Sequence, residues 1–158
     1  AEKLSPTMTR RDQTLSIELA EDSLAFVGDA MLVEQIVSNL LSNAIGFSAR
    51  GSQVRMGARR SGTNIQIWIA DSGRGIDPEF QKKAFERFQS KPLPGSHRGP
   101  GLGLSLVKSF TDRQGGNVSL FSKLDRGTTV VFSFPVDGPA KQNPRNDQAE
   151  RISPQRVA

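Results

Sequence analysis

The sequence predicts one globular domain of mixed α/β class, built from amphipathic helices and antiparallel hairpins. Three observations carry that expectation. Residues 53–60 and 65–70 read as strands joined by Ser61-Gly62-Thr63-Asn64, a connection short enough to pair them antiparallel. Residues 29–48 place apolar side chains at three- and four-residue steps, the spacing of one helical face. Finally, 158 residues with 35% hydrophobic and 23% charged content suit a single domain with its own core.

Taken in chain order, residues 1–13 are expected to be a leading segment from an upstream domain. Residues 14–20 (Thr-Leu-Ser-Ile-Glu-Leu-Ala) alternate apolar with polar, as a half-buried strand does, and Leu24 to Val27 offer it a short partner. Asp29 is placed to cap the helix that follows, whose apolar face is Val33, Ile36, Val37, Leu40, Leu41 and Ala44. After the first hairpin, Asp77-Pro78 opens a helix carrying Phe80, Ala84, Phe85 and Phe88 on one side and stopping near Ser90. Residues 91–100 hold three prolines and two glycines, too broken for a regular element, and read as a mobile lid. Leu102, Leu106, Val107 and Phe110 form the next helical stripe, ended by Gly115-Gly116, before a closing hairpin of Val118 to Ser122 and Thr128 to Phe134. The domain, residues 14–136, ends near Val136. Residues 137–158 are rich in Pro, Asn, Gln and mixed charge without periodicity, so a disordered tail with no packed role is expected.

Composition removes several classes of function. Without cysteine there is no disulfide, thiol nucleophile or zinc-thiolate site, which fits a reducing compartment. No apolar run approaches the roughly 18 residues of a membrane span, and no basic-then-apolar leader opens the chain, so a soluble cytoplasmic domain is expected. The net charge of +5 suits a polyphosphate ligand or an acidic partner. Neither the Gly-x-x-x-x-Gly-Lys-Ser/Thr phosphate loop nor the Gly-x-Gly-x-x-Gly dinucleotide spacing occurs.

Three short stretches carry the chemistry. In Asn39-Leu-Leu-Ser-Asn43-Ala-Ile-Gly-Phe-Ser48 the two carboxamides lie one helical turn apart, so Asn39, Asn43, Gly46 and Phe47 form one wall while the leucines face the sheet. A carboxamide oxygen is a hard donor suited to Mg²⁺, and Asn43 is the better candidate ligand. Asp71-Ser-Gly-Arg-Gly-Ile76 follows an apolar strand, so the carboxylate emerges at the strand end beside Gly73 and Gly75, where a flat ring can approach the backbone. A carboxylate accepts the exocyclic amino hydrogens of adenine and repels the carbonyl oxygen of guanine. Gly99-Pro-Gly-Leu-Gly-Leu104 opens a helix whose free amides and positive dipole end attract phosphate. The three together describe an ATP pocket.

With these pieces in this order, the sequence resembles the catalytic and ATP-binding domain of sensor histidine kinases, within the larger family that includes gyrase, heat-shock-ninety chaperones and mismatch-repair ATPases. The likeness covers residues 14–135. Besides the three stretches, Phe85-Glu-Arg-Phe88 matches the family's phenylalanine box and Gly127-Thr-Thr129 its last glycine box. The resemblance implies a two-layer α/β sandwich, a mixed and mainly antiparallel sheet covered on one face by helices, with ATP held between the asparagine helix and the lid. It implies Asn43 on Mg²⁺, Asn39 at the phosphates or metal waters, Asp71 on adenine, Phe47 on the base and Arg87 as a phosphate contact. Gly73, Gly75, Ile76, Gly99, Gly101, Leu102, Gly103, Leu104 and Thr128 complete the implied nucleotide set. The serine-directed, gyrase-like and chaperone branches usually carry Glu where Asn39 stands, which favours the histidine-kinase branch.

The resemblance fails at two points. The family usually has Lys or Arg three residues after the metal-binding Asn, and this chain has Gly46. Losing one preorganised cation costs on the order of a few kcal/mol of transition-state stabilisation, with Lys91 or Arg98 as possible replacements. Gly46 is similar in this to atypical, DivL-like members of the family, and it supports an alternative in which a degenerate domain acts as a protein-interaction module. The second departure is that the only histidine, His97, sits in the presumed lid as a solvated residue, so no phosphoacceptor is present. The expected parent therefore carries an upstream dimerisation and phosphoacceptor domain, is a homodimer, works with a response regulator and has a route to membrane association. Arg50, Arg55, Arg59 and Arg60, with no acidic residue between Arg50 and Ala70, are either a solvated strand face or a docking surface for an acidic partner. Nucleic acid is not expected as a partner, because no aromatics beyond Trp68 interleave the patch.

Overall fold

The computed structural model describes residues 5–20, 24–89 and 101–139. The expected lid at 91–100, with Lys91, His97, Arg98 and Gly99, lies outside them, as does the tail beyond residue 139. Nine elements follow in order: α1 (Ser5–Arg10), β1 (Thr14–Leu19), α2 (Ala30–Phe47), β2 (Gln53–Ser61), β3 (Asn64–Asp71), α3 (Pro78–Gln81), α4 (Gly103–Arg113), β4 (Asn117–Lys123) and β5 (Gly127–Pro135). The strands form one sheet in the order β1-β2-β3-β5-β4. Only β1 and β2 are parallel, and the other pairs are antiparallel. A parallel pair needs a crossover, and α2 supplies it. This is the mixed, mainly antiparallel sandwich the sequence led us to expect.

Side-chain alternation explains why one face of the sheet is covered. Val54 of β2, Ile65, Ile67 and Ile69 of β3, and Val130, Phe132 and Phe134 of β5 all point to the helices, where they bury against Ile36, Leu40, Leu41, Ala44 and Ile45 of α2 and Val107 of α4. The α2 start follows the sequence closely: the Asp29 side chain accepts from the amides of Met31 at 2.9 Å and Leu32 at 3.3 Å. Its far partner is Gln114, at the end of α4. The buried carboxamide of Gln114 accepts from the Asp29 amide at 2.8 Å and donates to the Asp29 carbonyl at 3.0 Å, so the start of α2 is tied to the end of α4.

Two expectations are corrected. Leu24 to Val27 is not a strand beside β1; β1 pairs with β2, while Phe26 stacks on Phe134 at 5.0 Å and the Val27 amide reaches the Val136 carbonyl. The short helix expected to run from Asp77 to near Ser90 is a single turn, because the backbone bonds that follow run three residues back, Lys83 to Phe80, Ala84 to Gln81 and Glu86 to Lys83, winding the chain too tightly for an α-helix. It ends at Phe88, whose φ of 63° leaves the helical region and whose ring is exposed. Residues 5–13 pack on the end of α2. Gln13 is buried, and its amide group donates to the carbonyls of Ile45 at 3.1 Å and Ala49 at 3.0 Å, while Arg11 donates to Ser48 at 2.9 Å. These bonds satisfy the carbonyls that every helix leaves open at its C-terminus. Beyond the last strand, Gly138 is buried against Val27.

The arginine stripe is also largely accounted for inside the fold. Arg50 pairs with Asp12 at 2.7 Å and Arg55 with Glu18 at 2.9 Å, both carboxylates coming from before α2, where a scan limited to residues 50–70 does not look. Arg59 hydrogen-bonds Gln66 and lies over the Trp68 ring, which itself lies flat on Gly57. All of these pairs are exposed and contribute little to stability. Among the described residues no helix is long and apolar enough to cross a membrane.

Candidate functional site

A cavity of about 880 Å³ opens between α2, the end of β3 and the start of α4. It is lined by Asn39, Asn43 and Phe47 from α2, by Asp71, Gly75 and Ile76 from the loop after β3, by Gly101, Leu102, Gly103 and Leu104 at the start of α4, and by Thr128 of β5. Nearly every residue expected at the nucleotide is thereby brought together. Gly73 does not line the cavity but supports it, because a Cβ there would come within 2.5 Å of the Phe47 carbonyl. Arg87 is not brought to the cavity: it sits exposed on the turn after α3, which is tighter than the helix that was to orient it.

Asp71 is the last residue of β3, and its position is fixed by its own turn. The Gly73 amide donates to its carboxylate at 2.8 Å, and the Thr128 amide helps to hold it. Burial pushes the Asp71 carboxyl above its ordinary value of 3.8, partly offset by those two amide donors. Gly127 must be glycine, since its φ is 99° and a Cβ would meet the Asp71 carbonyl at 1.9 Å. Beside it, the Ser122 hydroxyl accepts from the Ile76 amide at 2.8 Å and lies 2.8 Å from the Thr128 hydroxyl. Gln81 adds bonds to the carbonyls of Ile76 at 2.7 Å and Ser122 at 3.1 Å. This network locks the glycine loop to the β4–β5 hairpin, so the floor at the Asp71 end is rigid.

At the other end, α4 begins at Leu102 with no side-chain cap. The first amides of a helix have no partner within it, and with Leu102, Gly103 and Leu104 lining the cavity they stand where an anion can accept them. Gly103 lets α2 approach: a Cβ there would touch the Asn43 carboxamide at 3.4 Å from its nitrogen and 3.8 Å from its oxygen. Asn43 thus sits directly against the start of α4, its carboxamide beside Gly103. Among the described residues no group of His, Cys, Asp or Glu side chains is assembled as a metal site, so a hard cation held by the Asn43 carboxamide would take its remaining donors from phosphate and water. Gly101 packs on Gln89, whose backbone a Cβ would approach to 2.9 Å, and Gln89 joins the lining.

Several residues of the site escaped the sequence reading. Ser122 and Gln81 look like ordinary polar positions, and only the hairpin register brings Ser122 opposite Thr128. Thr7 lines the cavity from α1, a segment read as belonging elsewhere. Arg74, given no role by the sequence, lies with its guanidinium 5.2 Å from the centre of the Phe47 ring and lines the cavity. An arginine inside a glycine motif was the available signal.

Comparison with known proteins agrees with this geometry. Residues 28–138 match the family model described as histidine kinase-, DNA gyrase B- and HSP90-like ATPase. The chain is 40% identical over 119 residues to the sensor-like histidine kinase SenX3 of Mycobacterium tuberculosis, covering 74% of this chain and 29% of SenX3. It is 34% identical over 122 residues to the sensor protein DivL of Caulobacter vibrioides, covering 77% of this chain and 15% of DivL. The chain thus spans less than a third of either relative. Among solved structures, the catalytic domain of the histidine kinase ThkA superposes with a TM-score of 0.76 at 21% identity, over 86% of this chain and 87% of that one, a likeness of fold.

Proposed function

The chain belongs to the histidine kinase-, DNA gyrase B- and HSP90-like ATPase family, and from that premise we propose that it is the ATP-binding catalytic domain of a sensor histidine kinase, delivering the γ-phosphoryl group of ATP to a histidine on an upstream dimerisation domain. The observation that carries the proposal is the opening of Asp71 and Asn43 onto one cavity, with the uncapped start of α4 beside Asn43. Asp71 accepts the exocyclic amine of adenine, Phe47 packs on the base, and the Leu102 to Leu104 amides receive the phosphates. Asn43, assisted by Asn39, holds Mg²⁺, which supplies charge neutralisation at the phosphates when bound. In the transfer the bond from the γ-phosphorus to its bridging oxygen breaks, a phosphorus–nitrogen bond forms on the acceptor, and ADP leaves with the charge. The domain works by position and electrostatics, not by covalent participation.

The parent protein is proposed to be a homodimer that hands its phosphoryl group to a response regulator, with a route to membrane association through segments outside this chain. A second reading, a degenerate kinase domain that signals through protein contacts, draws its support from Gly46, which offers the transferring phosphoryl group no cation. Calorimetric titration with Mg²⁺ and a non-hydrolysable ATP analogue tests binding; no heat and no thermal shift at millimolar nucleotide would end the first reading. Phosphotransfer from labelled ATP in the full-length parent then separates the two, and Gly46→Lys should raise it if the missing cation limits the rate.

A further inference from the structure

The cavity presents three carboxylates, Asp71, Asp77 and Asp125, and among its described lining residues the only Lys or Arg is Arg74. A nucleotide diphosphate or triphosphate entering that field needs countercharge, and the start of a helix supplies only about half of one. Arg74 is placed to supply more. Its backbone is pinned on both sides: its carbonyl accepts from the Asp125 amide at 2.8 Å, and the next residue, Gly75, has φ of 69° and lies so close to Lys123 that a Cβ would meet that carbonyl at 2.0 Å. The side chain therefore leaves from a fixed point and lays its guanidinium over the Phe47 ring.

That stacking has a chemical consequence. A guanidinium over a ring gains from the aromatic face and, with five N–H donors, can still offer hydrogen bonds to an acceptor. Among the described residues no carboxylate forms an ion pair with Arg74. Phe47 lies one helical turn from Asn43, about 5.4 Å along the wall, so the guanidinium over its ring is one turn of α2 away from the carboxamide at the start of α4. We infer that Arg74 is a phosphate-positioning residue, donating in-plane hydrogen bonds to the first two phosphates of an adenine nucleotide while Phe47 holds its guanidinium in register. This rests on the nucleotide reading of the cavity.

The test is calorimetry on the full chain with two probes, adenosine and ADP, for the native protein, Arg74→Gln and Arg74→Lys. Arg74 is exposed, so both variants should keep the native melting temperature. Arg74→Gln should weaken ADP by about tenfold or more while leaving adenosine unchanged, and should flatten the salt dependence of ADP binding. Arg74→Lys should recover part of the ADP affinity, because the charge returns without the planar fork. Equal losses for adenosine and ADP would overturn the assignment in favour of stacking on the base, and no loss for either would make Arg74 a bystander. If the native protein bound neither probe, the nucleotide reading itself would fall; native binding of both with an indifferent Arg74→Gln would remove this inference alone.

Discussion

Replacing Asp71 with Asn separates recognition from stability, because the structure assigns the carboxylate opposite roles in the two. Of its roughly four lone-pair sites, two are engaged by the Gly73 and Thr128 amides, which leaves capacity to accept from the adenine amine in the cavity that Asp71 lines. Removing one charge-assisted hydrogen bond costs about 1.5–3 kcal/mol, or roughly 10- to 150-fold in affinity for ATP. Stability should move the other way. Burial holds the folded carboxyl above 3.8, so the ionised form is disfavoured in the fold relative to the unfolded chain. That contribution to stability is present in acid and is lost as pH rises through the raised folded value, hence Asp71→Asn at neutral pH should be at least as stable as the native protein. Calorimetric titration of the two proteins with ATP and GTP, beside denaturant unfolding, supplies both numbers. The loss should fall on ATP and narrow the preference over GTP. Unchanged ATP affinity, or a loss of affinity matched by a loss of stability, would refute the assignment of Asp71 to the base.

ATP affinity of the native protein should fall on acidification at a higher pH than an ordinary Asp would give, as Asp71 takes a proton and stops accepting from the base, while Asp71→Asn should show no such fall; titrations from neutral into acidic pH check it. Gly127→Ala should lower stability by about 1–3 kcal/mol from the positive φ alone, and by more because its Cβ would strike the Asp71 carbonyl, read by urea unfolding. Gln13→Ala should cost roughly 1–3 kcal/mol by stripping the donor from the carbonyls closing α2, again by urea unfolding, with an unaltered m-value. Gly103→Val should weaken Mg·ATP while preserving the melting temperature, since its added methyls enter the space between α4 and Asn43; full affinity would mean that phosphate does not lie there.

What was legible in the sequence is what periodicity and glycine record. The α2 face, the first hairpin and the Asp71 turn are local: each depends on spacing within about twenty residues, and each came out where expected, Asp29 capping α2 and Asp71 ending β3. Illegible were contacts that only tertiary register creates. Nothing local says that Gln114 closes on Asp29, that Gln13 caps a helix ending at residue 47, or that Ser122 stands opposite Thr128. The phenylalanine segment failed for a different reason. Its apolar spacing suits a helix, but Ala84 and Phe85 bury through a tighter winding that packing imposes and propensity does not foresee. The arginine stripe misled because its counterions come from the segment before α2.

The most direct test of a base at Asp71 and phosphates at α4, within one cavity, is an amide chemical-shift titration of the isotope-labelled chain with adenosine and then with Mg·ATP. Adenosine should shift the amides of Gly73, Gly75 and Phe47 and leave Leu102 to Leu104 in place, and Mg·ATP should shift both groups. Shifts confined to the uncovered face of the sheet around Trp68, or identical patterns for the two ligands, would contradict the account.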